Sequence, residues 1–234
     1  MLKITGLHKS YGEKEVIHGI DIAVEPGEIF GLIGPNGAGK TTTIKCMVGI
    51  LPFDKGQIIV NGHDIAADPL AVKHSLAYLP DNPDLYENLT GLQFLNFVAD
   101  IFGIDSQVRT EKIGQLAKEF EIYGSLGDQI SAYSHGMKQK LAIVSALMHD
   151  PKLLVLDEPF VGLDPKAAFT LKEKMKQLCA NGSSVFFSSH VLEVVEKLCD
   201  HVGILVNGKL EKYGATEEII KDQSLEQVFL ELDK

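Results

Sequence analysis

Residues 28–41 read Glu-Ile-Phe-Gly-Leu-Ile-Gly-Pro-Asn-Gly-Ala-Gly-Lys-Thr, and their order decides the fold. Residues 28–33 are an apolar run of strand composition. The run breaks into the string G-x-x-x-x-G-K-[ST] at residues 34–41, and residues 41–50 are predicted to form a helix. A strand that ends in glycines lets backbone N–H groups turn toward one point. The N-terminus of the next helix adds the positive end of its dipole, so an anion is the natural occupant. Gly34, Asn36, Gly37, Ala38, Gly39, Lys40, Thr41 and Thr42 are therefore the expected nucleotide contacts. The Lys40 ammonium is expected to reach the outer phosphates, and the Thr41 hydroxyl to hold Mg²⁺. A plain turn between strand and helix has no need of Lys-Thr as its next two residues.

Composition limits what else the chain can be. Its 234 residues suffice for one large domain or two small ones, and 45% of them are hydrophobic, enough for a substantial core. The formal net charge is −10. A binder of nucleic-acid backbone needs a basic face, so no nucleic-acid partner is expected. Cys46, Cys179 and Cys199 lie far apart without metal-ligand spacing, each among apolar neighbours in an expected helix. They read as small buried hydrophobes in a reducing compartment. Met1-Leu2-Lys3-Ile4-Thr5 runs straight into an alternating strand pattern, so no leader is expected. No apolar stretch approaches the roughly 20 residues of a membrane-spanning helix. The chain is expected to be soluble by itself, and any membrane-spanning part must come from another chain.

Residues 2–7 and 16–24 also have strand composition, with breaks at Gly12-Glu13 and Pro26-Gly27. After the phosphate-loop helix, residues 57–60 read as a strand turning at Asn61-Gly62, and residues 76–79 as a short strand stopped by Pro80. From Thr90 to Met148 the pattern is helical. Leu92, Leu95, Phe97, Val98, Ile101 and Phe102 make one broad apolar stripe, and Ile113, Leu116, Ala117 and Phe120 a second. A third helix is expected over residues 137–148. Strands then return at 153–156, 184–188 and 202–206, with helices over 165–180 and 191–198. Asn207-Gly208 turns the chain into residues 209–213, and a short helical tail follows. This is an α/β nucleotide core interrupted by a helical segment longer than an ordinary connection.

A phosphate loop alone leaves kinase, GTPase, helicase and transport ATPase open. Leu153-Leu154-Val155-Leu156-Asp157-Glu158 narrows the choice, because an apolar strand delivers its terminal carboxylates to the edge of the sheet where ligands sit in open α/β folds. Two adjacent acids can divide the work. Asp157 can bind Mg²⁺ directly or through water, and Glu158 can polarise an attacking water. The phosphate loop lies far upstream, so only the fold can bring the two motifs together.

The motifs occur in the order of an ABC-type ATPase domain. They are the phosphate loop, Tyr133-Ser134-His135-Gly136-Met137-Lys138-Gln139, Asp157-Glu158-Pro159, Gly162-Leu163-Asp164 and Ser188-Ser189-His190. The chain resembles that family from Tyr11 to the turn at Gly208, and the ordered set is far more specific than any single member. The resemblance implies a P-loop NTPase core, an N-terminal antiparallel β subdomain, and an α-helical subdomain inserted at about residues 82–150, within a single domain over 1–234. It implies ATP and Mg²⁺ as cofactors, with Thr41, Asp157 and Asp81 toward the metal. Glu158, His190 and Lys40 would serve hydrolysis, His190 through the γ-phosphate, and Tyr11 would stack on adenine. Ser134 and Gly136 would touch the γ-phosphate held by an opposite subunit, and Asp164 would lie in the loop linking the two sites. Ser134 and Asp164 also read as ordinary helix N-caps, the latter before Pro165, and both readings can hold at once. The histidines at 8, 18, 63, 74, 135, 149 and 201 read as structural.

The sequence departs from the family at named positions. Tyr133, His135 and Met137 stand where Leu, Gly and Gln are usual, and Asp81 stands where Gln is usual. A carboxylate accepts from a metal-bound water but cannot donate as an amide does. The resemblance implies an ATP-hydrolysing subunit that powers a separate polytopic permease subunit from the cytoplasmic face of the cell membrane. A second ATPase cassette, identical or not, is the other implied partner. Residues 85–89 and the helical segment would receive the permease. Export is expected because Asp81, Ser134-His135-Gly136-Met137-Lys138 and Glu158-Pro159-Phe160 look most like bacterial exporter cassettes. An importer cassette, a non-transport ABC ATPase of translation or DNA repair, and a P-loop kinase or GTPase are the competing classes. The last leaves the 133–139 segment and His190 unexplained.

Overall fold

The structure, a computed structural model, describes residues 1–221 and 223–232. Strands β1 (Leu2–Tyr11) and β2 (Lys14–Val24) form an antiparallel hairpin through Gly12-Glu13. β3 (Ile29–Ile33) leads through the phosphate loop into α1 (Lys40–Met47). β4 (Lys55–Val60) turns at Asn61-Gly62 into β5 (His63–Asp64), and α2 (Pro69–Ser75) precedes β6 (Leu76–Leu79). The helical segment holds α3 (Gly91–Ile101), α4 (Ser106–Glu119) and α5 (His135–Leu147). Then come β7 (Leu153–Asp157), α6 (Pro165–Ala180), β8 (Ser184–Ser188), α7 (Leu192–Leu198), β9 (His201–Val206) and β10 (Lys209–Ala215). Helices α8 (Thr216–Ile220) and α9 (Leu225–Leu232) follow.

The strands form two sheets. One is antiparallel, in the order β2-β1-β4-β5, and the other runs β10-β9-β3-β8-β7-β6. In the second sheet β6, β7, β8, β3 and β9 are mutually parallel, and β10 closes the edge antiparallel to β9. Every residue of β3, β7 and β8 is buried, as strands covered on both faces must be. The pleat sorts their side chains into two apolar clusters. Ile33, Leu79, Leu154, Leu156 and Phe187 face the helical segment and α6, while Phe30, Leu32, Val155 and Phe186 face α1 and the antiparallel sheet. Phe30 and Phe186 stack at 5.1 Å between ring centres. Burying each such ring contributes about 2–3 kcal/mol, so the sheet's apolar faces carry most of the stability.

Several elements lie where the sequence places them, including Pro165–Ala180 and Ser184–Ser188. Others differ. The helix expected over 41–50 ends at Met47, because Gly49 takes a φ of +73° and the N–H groups of Ile50 and Leu51 both return to the Lys45 carbonyl. β1 runs on to Tyr11 rather than ending at residue 7, since pairing with β2 continues to the tip of the hairpin. Helix α2 was absent from the sequence reading. Its signal was Asp68-Pro69, an N-cap carboxylate accepting from the Ala71 N–H with Pro at the first turn. α3 opens on a capping box in which Thr90 and Gln93 each bond the other's backbone. The three cysteines are free, but Cys179 is only half-buried and Cys199 lies just past α7.

Candidate functional site

The phosphate loop connects a fully buried strand to a buried helix start, and this pins its shape. Gly208, in the β9–β10 turn, donates its N–H to the Ala38 carbonyl at 3.0 Å, and Ala38 in turn donates to the Pro35 carbonyl at 3.2 Å. Gly37 takes a φ of +82° with open space where a Cβ would stand, so the loop backbone is bare on its outer side. The first turn of α1 leaves the N–H groups of Lys40, Thr41 and Thr42 without intrahelical acceptors. Thr41 is exposed and Thr42 half-buried. The Lys40 side chain is only 7% exposed, and its Nζ donates to the Gly34 carbonyl at 2.7 Å and the Pro35 carbonyl at 3.2 Å. Burial lowers its pKa, opposed by the carboxylates of Glu158 and then Asp157. The ammonium therefore lies within electrostatic reach of both acids.

Those acids stand at the carboxyl end of β7, beside the end of β8. Parallel register sets Asp157 opposite Ser188. The Ser188 hydroxyl donates to Asp157 Oδ1, and the Asp157 side chain is almost fully enclosed. Glu158 takes a left-handed φ of +49°, a strained conformation for a residue with a Cβ. It is held there because its N–H donates to both the carbonyl and the hydroxyl of Ser188. This turn swings the Glu158 carboxylate toward His190. Oε2 accepts the His190 N–H at 3.2 Å and stands 2.8 Å from Nδ1 of the ring. His190, Gly34, Pro35, Asn36, Leu192 and Phe229 line a cleft of about 300 Å³.

The remaining expected site residues lie elsewhere. Tyr11 is at the tip of the β1–β2 hairpin, half exposed, with the Lys9 ammonium 5.5 Å from its ring centre. It does not line the cleft. Asp81 is exposed on the loop after β6. Ser134 is the N-cap of α5, its hydroxyl accepting from the Met137 N–H at 3.3 Å, and it is exposed. Neither Ser134 nor Gly136 lines the cleft. The 133–139 segment touches residues 162–164 instead. Gly136 lies under the Gly162 carbonyl, the His135 ring lies over Gly162, and Lys140 pairs with Asp164 at 2.6 Å. Asp164 also caps α6 by accepting from the Ala167 N–H at 2.9 Å.

Two residues inside the quoted motifs have roles that the sequence did not assign. Ser188, in Ser188-Ser189-His190, positions both acids. Lys138 pairs with Glu87, tying the loop after β6 to the first turn of α5. Nothing in the spacing of residues 87 and 138 announces that contact.

The donor set suits a nucleoside triphosphate with a divalent cation. A bare glycine loop and a helix N-terminus face an anion. A buried ammonium and an enclosed carboxylate stand within reach of one another, as a metal-phosphate pair requires. A parallel sheet with a phosphate loop at its carboxyl edge, flanked by an antiparallel sheet and a helical segment, defines a nucleotide-hydrolysing cassette. The sequence profile described as ABC transporter matches residues 17–161. The ABC-type transporter ATP-binding protein EcsA of Bacillus subtilis (strain 168) is 37% identical over 239 residues, an alignment covering 100% of this chain and 97% of EcsA. A solved ATP binding subunit of an ABC transporter superposes with a TM-score of 0.96 at 35% identity, covering 100% of both chains. A dimeric, post-hydrolysis cassette bound to ADP and Pi shares the fold, with a TM-score of 0.84 at 20% identity over 92% of this chain and 99% of that one. The chain belongs to the ABC transporter family as an ATP-binding subunit, an ATPase.

Proposed function

We propose that this chain hydrolyses ATP in a site completed by a second cassette and so powers a separate membrane-spanning permease, with export as the direction. The observation that carries the hydrolytic part is the Glu158–His190 contact at 2.8 Å, built at the strand ends next to the phosphate loop. The backbone N–H groups of residues 37–42 would hold the phosphates, with Lys40 leaving the loop carbonyls for the outer ones. Tyr11 would stack on the adenine. Thr41, Asp157 and Asp81 would hold Mg²⁺, which when bound neutralises charge on the transferring phosphoryl group. Glu158 would orient the attacking water and accept its proton. His190 would keep that carboxylate aimed while its free edge meets the γ-phosphate. Phosphoryl transfer asks mainly for such positioning and charge compensation.

A second cassette is favoured because Ser134 and the N-terminus of α5 form an anion-seeking end that no part of the same chain's cleft uses. The dimeric neighbour has this fold. ATP held between one chain's phosphate loop and another's Ser134 and Gly136 would join the two, and its cleavage would let them part. The permease contact is favoured by exposed apolar side chains on the helical segment. Tyr86, Phe97 and Ile101 are each 44% exposed or more, and Tyr86 and Phe97 pack edge to face at 5.6 Å. The Glu87–Lys138 pair would carry movement from there to α5. No described helix is long and apolar enough to cross a membrane. The family resemblance is what favours the cytoplasmic face, held by the permease. Export rests on the resemblance at Asp81, residues 134–138 and 158–160.

The test is co-purification of the tagged chain with a polytopic membrane protein, together with ATP turnover of the pair in vesicles. Phe97→Asp should abolish the co-purification and leave nucleotide binding intact. Recovery with ribosomes or DNA instead would move the chain to the non-transport class, and cargo moved inward would make it an importer.

A further inference from the structure

Tyr78 is the polar group beside the site that no step above uses. It is the third residue of β6 and lies opposite Val155 of β7 in parallel register. Side chains alternate along a strand, so Tyr78 shares its face of the sheet with Val155 and, two residues on, with Asp157. That face is the one α1 covers, and Tyr78 packs in the cluster with Val155, Ile44 and Met47. Its hydroxyl oxygen is buried and makes no hydrogen bond to any described residue. Burial, then the charges of Asp157 and Asp81, hold the phenol well above its ordinary pKa. It is therefore a standing O–H donor whose two charged neighbours are both acceptors.

A buried hydroxyl without a partner gives up the hydrogen bonds that water would make to it, a net cost to the fold. Phe would fill the same place in a strand equally well without that penalty. The return on the hydroxyl must then come in another state of the protein. The nearest change of state is the arrival of nucleotide and cation at Thr41 and Asp157. We propose that Tyr78 is a positioning residue of the hydrolytic site, its hydroxyl donating to the Asp157 carboxylate or to a water held on it once the metal–nucleotide complex is bound. The proposal rests on the reading of Asp157 as a metal-facing acid. Ser188 already donates to Asp157 Oδ1. A second donor from the β6 side would hold the carboxylate from the side opposite to β8.

Tyr78→Phe tests this by melting temperature and metal titration on the full chain. The free variant should melt at or above the wild-type temperature, because an unpaired hydroxyl is removed. The rise in melting temperature on adding Mg²⁺ and ATP should be smaller than in the wild type, while the rise with ATP and a chelator should be unchanged. In the Glu158→Gln background, which separates binding from turnover, the Mg²⁺ concentration for half-maximal nucleotide binding should increase about three- to tenfold. Loss of stability in the free variant with an unaltered Mg²⁺–ATP rise would make the hydroxyl a packing feature and overturn the proposal. Identical behaviour of both proteins in every measurement would overturn it too. An effect that disappears in the Asp81→Asn background would assign the hydroxyl to Asp81 and refute the pairing with Asp157. A wild-type chain that gains no stability from Mg²⁺ and ATP would instead strike at the proposed function itself.

Discussion

Two surfaces of this molecule are proposed to meet phosphate, and they are finished to different degrees. At the β7–β8 edge the polar groups already answer one another. Ser188 bonds Asp157, Glu158 bonds His190, and Lys40 bonds the loop carbonyls. At the start of α5 the Ser134 hydroxyl meets one backbone N–H and stays exposed, while Gly136 lies under the Gly162 carbonyl and Lys138 pairs with Glu87. On the proposed reading the first surface would hold the groups for hydrolysis and the second, from another chain, would cap them. The difference is the ground for proposing a second copy or a relative.

The comparison breaks most readily at Glu158. Glu158→Gln should lower turnover about 10²- to 10⁴-fold, the usual scale for losing a general base, with ATP affinity changed only a few-fold. Phosphate release and gel filtration with ATP would show a slow, stably paired cassette, whereas near-normal turnover would remove Glu158 from the chemistry. Lys40→Ala comes next. A charge-assisted contact contributes about 1.5–3 kcal/mol, so nucleotide affinity should fall roughly ten- to a hundredfold in a fluorescent-nucleotide titration. Unaltered binding would mean that the phosphates lie elsewhere.

Ser134→Asp sharpens the contrast between the surfaces. Asp caps a helix as well as Ser does, so the melting temperature should hold. A carboxylate facing the partner's triphosphate should nonetheless stop pairing and cut turnover at least tenfold. A variant that pairs and hydrolyses normally would leave α5 with only its structural role. The smallest effect is expected at Asp164, whose carboxyl is held below the usual carboxylate range by the Lys140 ammonium and then by the Ala167 N–H. A lowered folded pKa means that this stabilisation is complete above the ordinary carboxylate range and is lost as pH falls through the folded value. Asp164 is largely exposed, so Asp164→Asn should cost only about 0.5 kcal/mol at pH 7 in urea unfolding. The two proteins should converge in stability once the pH has fallen through the carboxyl's lowered folded value. A cost unchanged by acid would show that the Lys140 pair contributes nothing.

How far the sequence could be read depended on the range of each interaction. The strand, glycine loop and helix at residues 29–47 were legible because each signal is local. So was Pro165–Ala180, with Asp164 and Pro165 marking its start. The end of α1 had one local signal, Gly49, which takes the left-handed φ that stops a helix, while the returns of Ile50 and Leu51 to the Lys45 carbonyl run through backbone and carry none. At the site, the residue types were legible and their partners were not. His190 and Glu158 are far apart along the chain, and they meet only because β7 and β8 pair in parallel register. The strained turn at Glu158 and the bridging role of Ser188 follow from that register and from nothing nearer.

Local chemistry thus determined that the chain carries a phosphate site, and the ordered set of motifs, through its resemblance to a family, determined the class. A glycine-rich loop followed by Lys-Thr, and an apolar strand ending in two acids, are dictated by what a phosphate and its counter-ion need within a few residues. Tertiary structure alone decided which groups touch. It set Glu158 against His190, left the buried Tyr78 hydroxyl without a partner on the sheet face that Asp157 shares, and placed the Ser134 cap against residues 162–164. The physical reason is that hydrogen bonds act over about 3 Å of space, and strand register rather than sequence spacing sets which residues come that close.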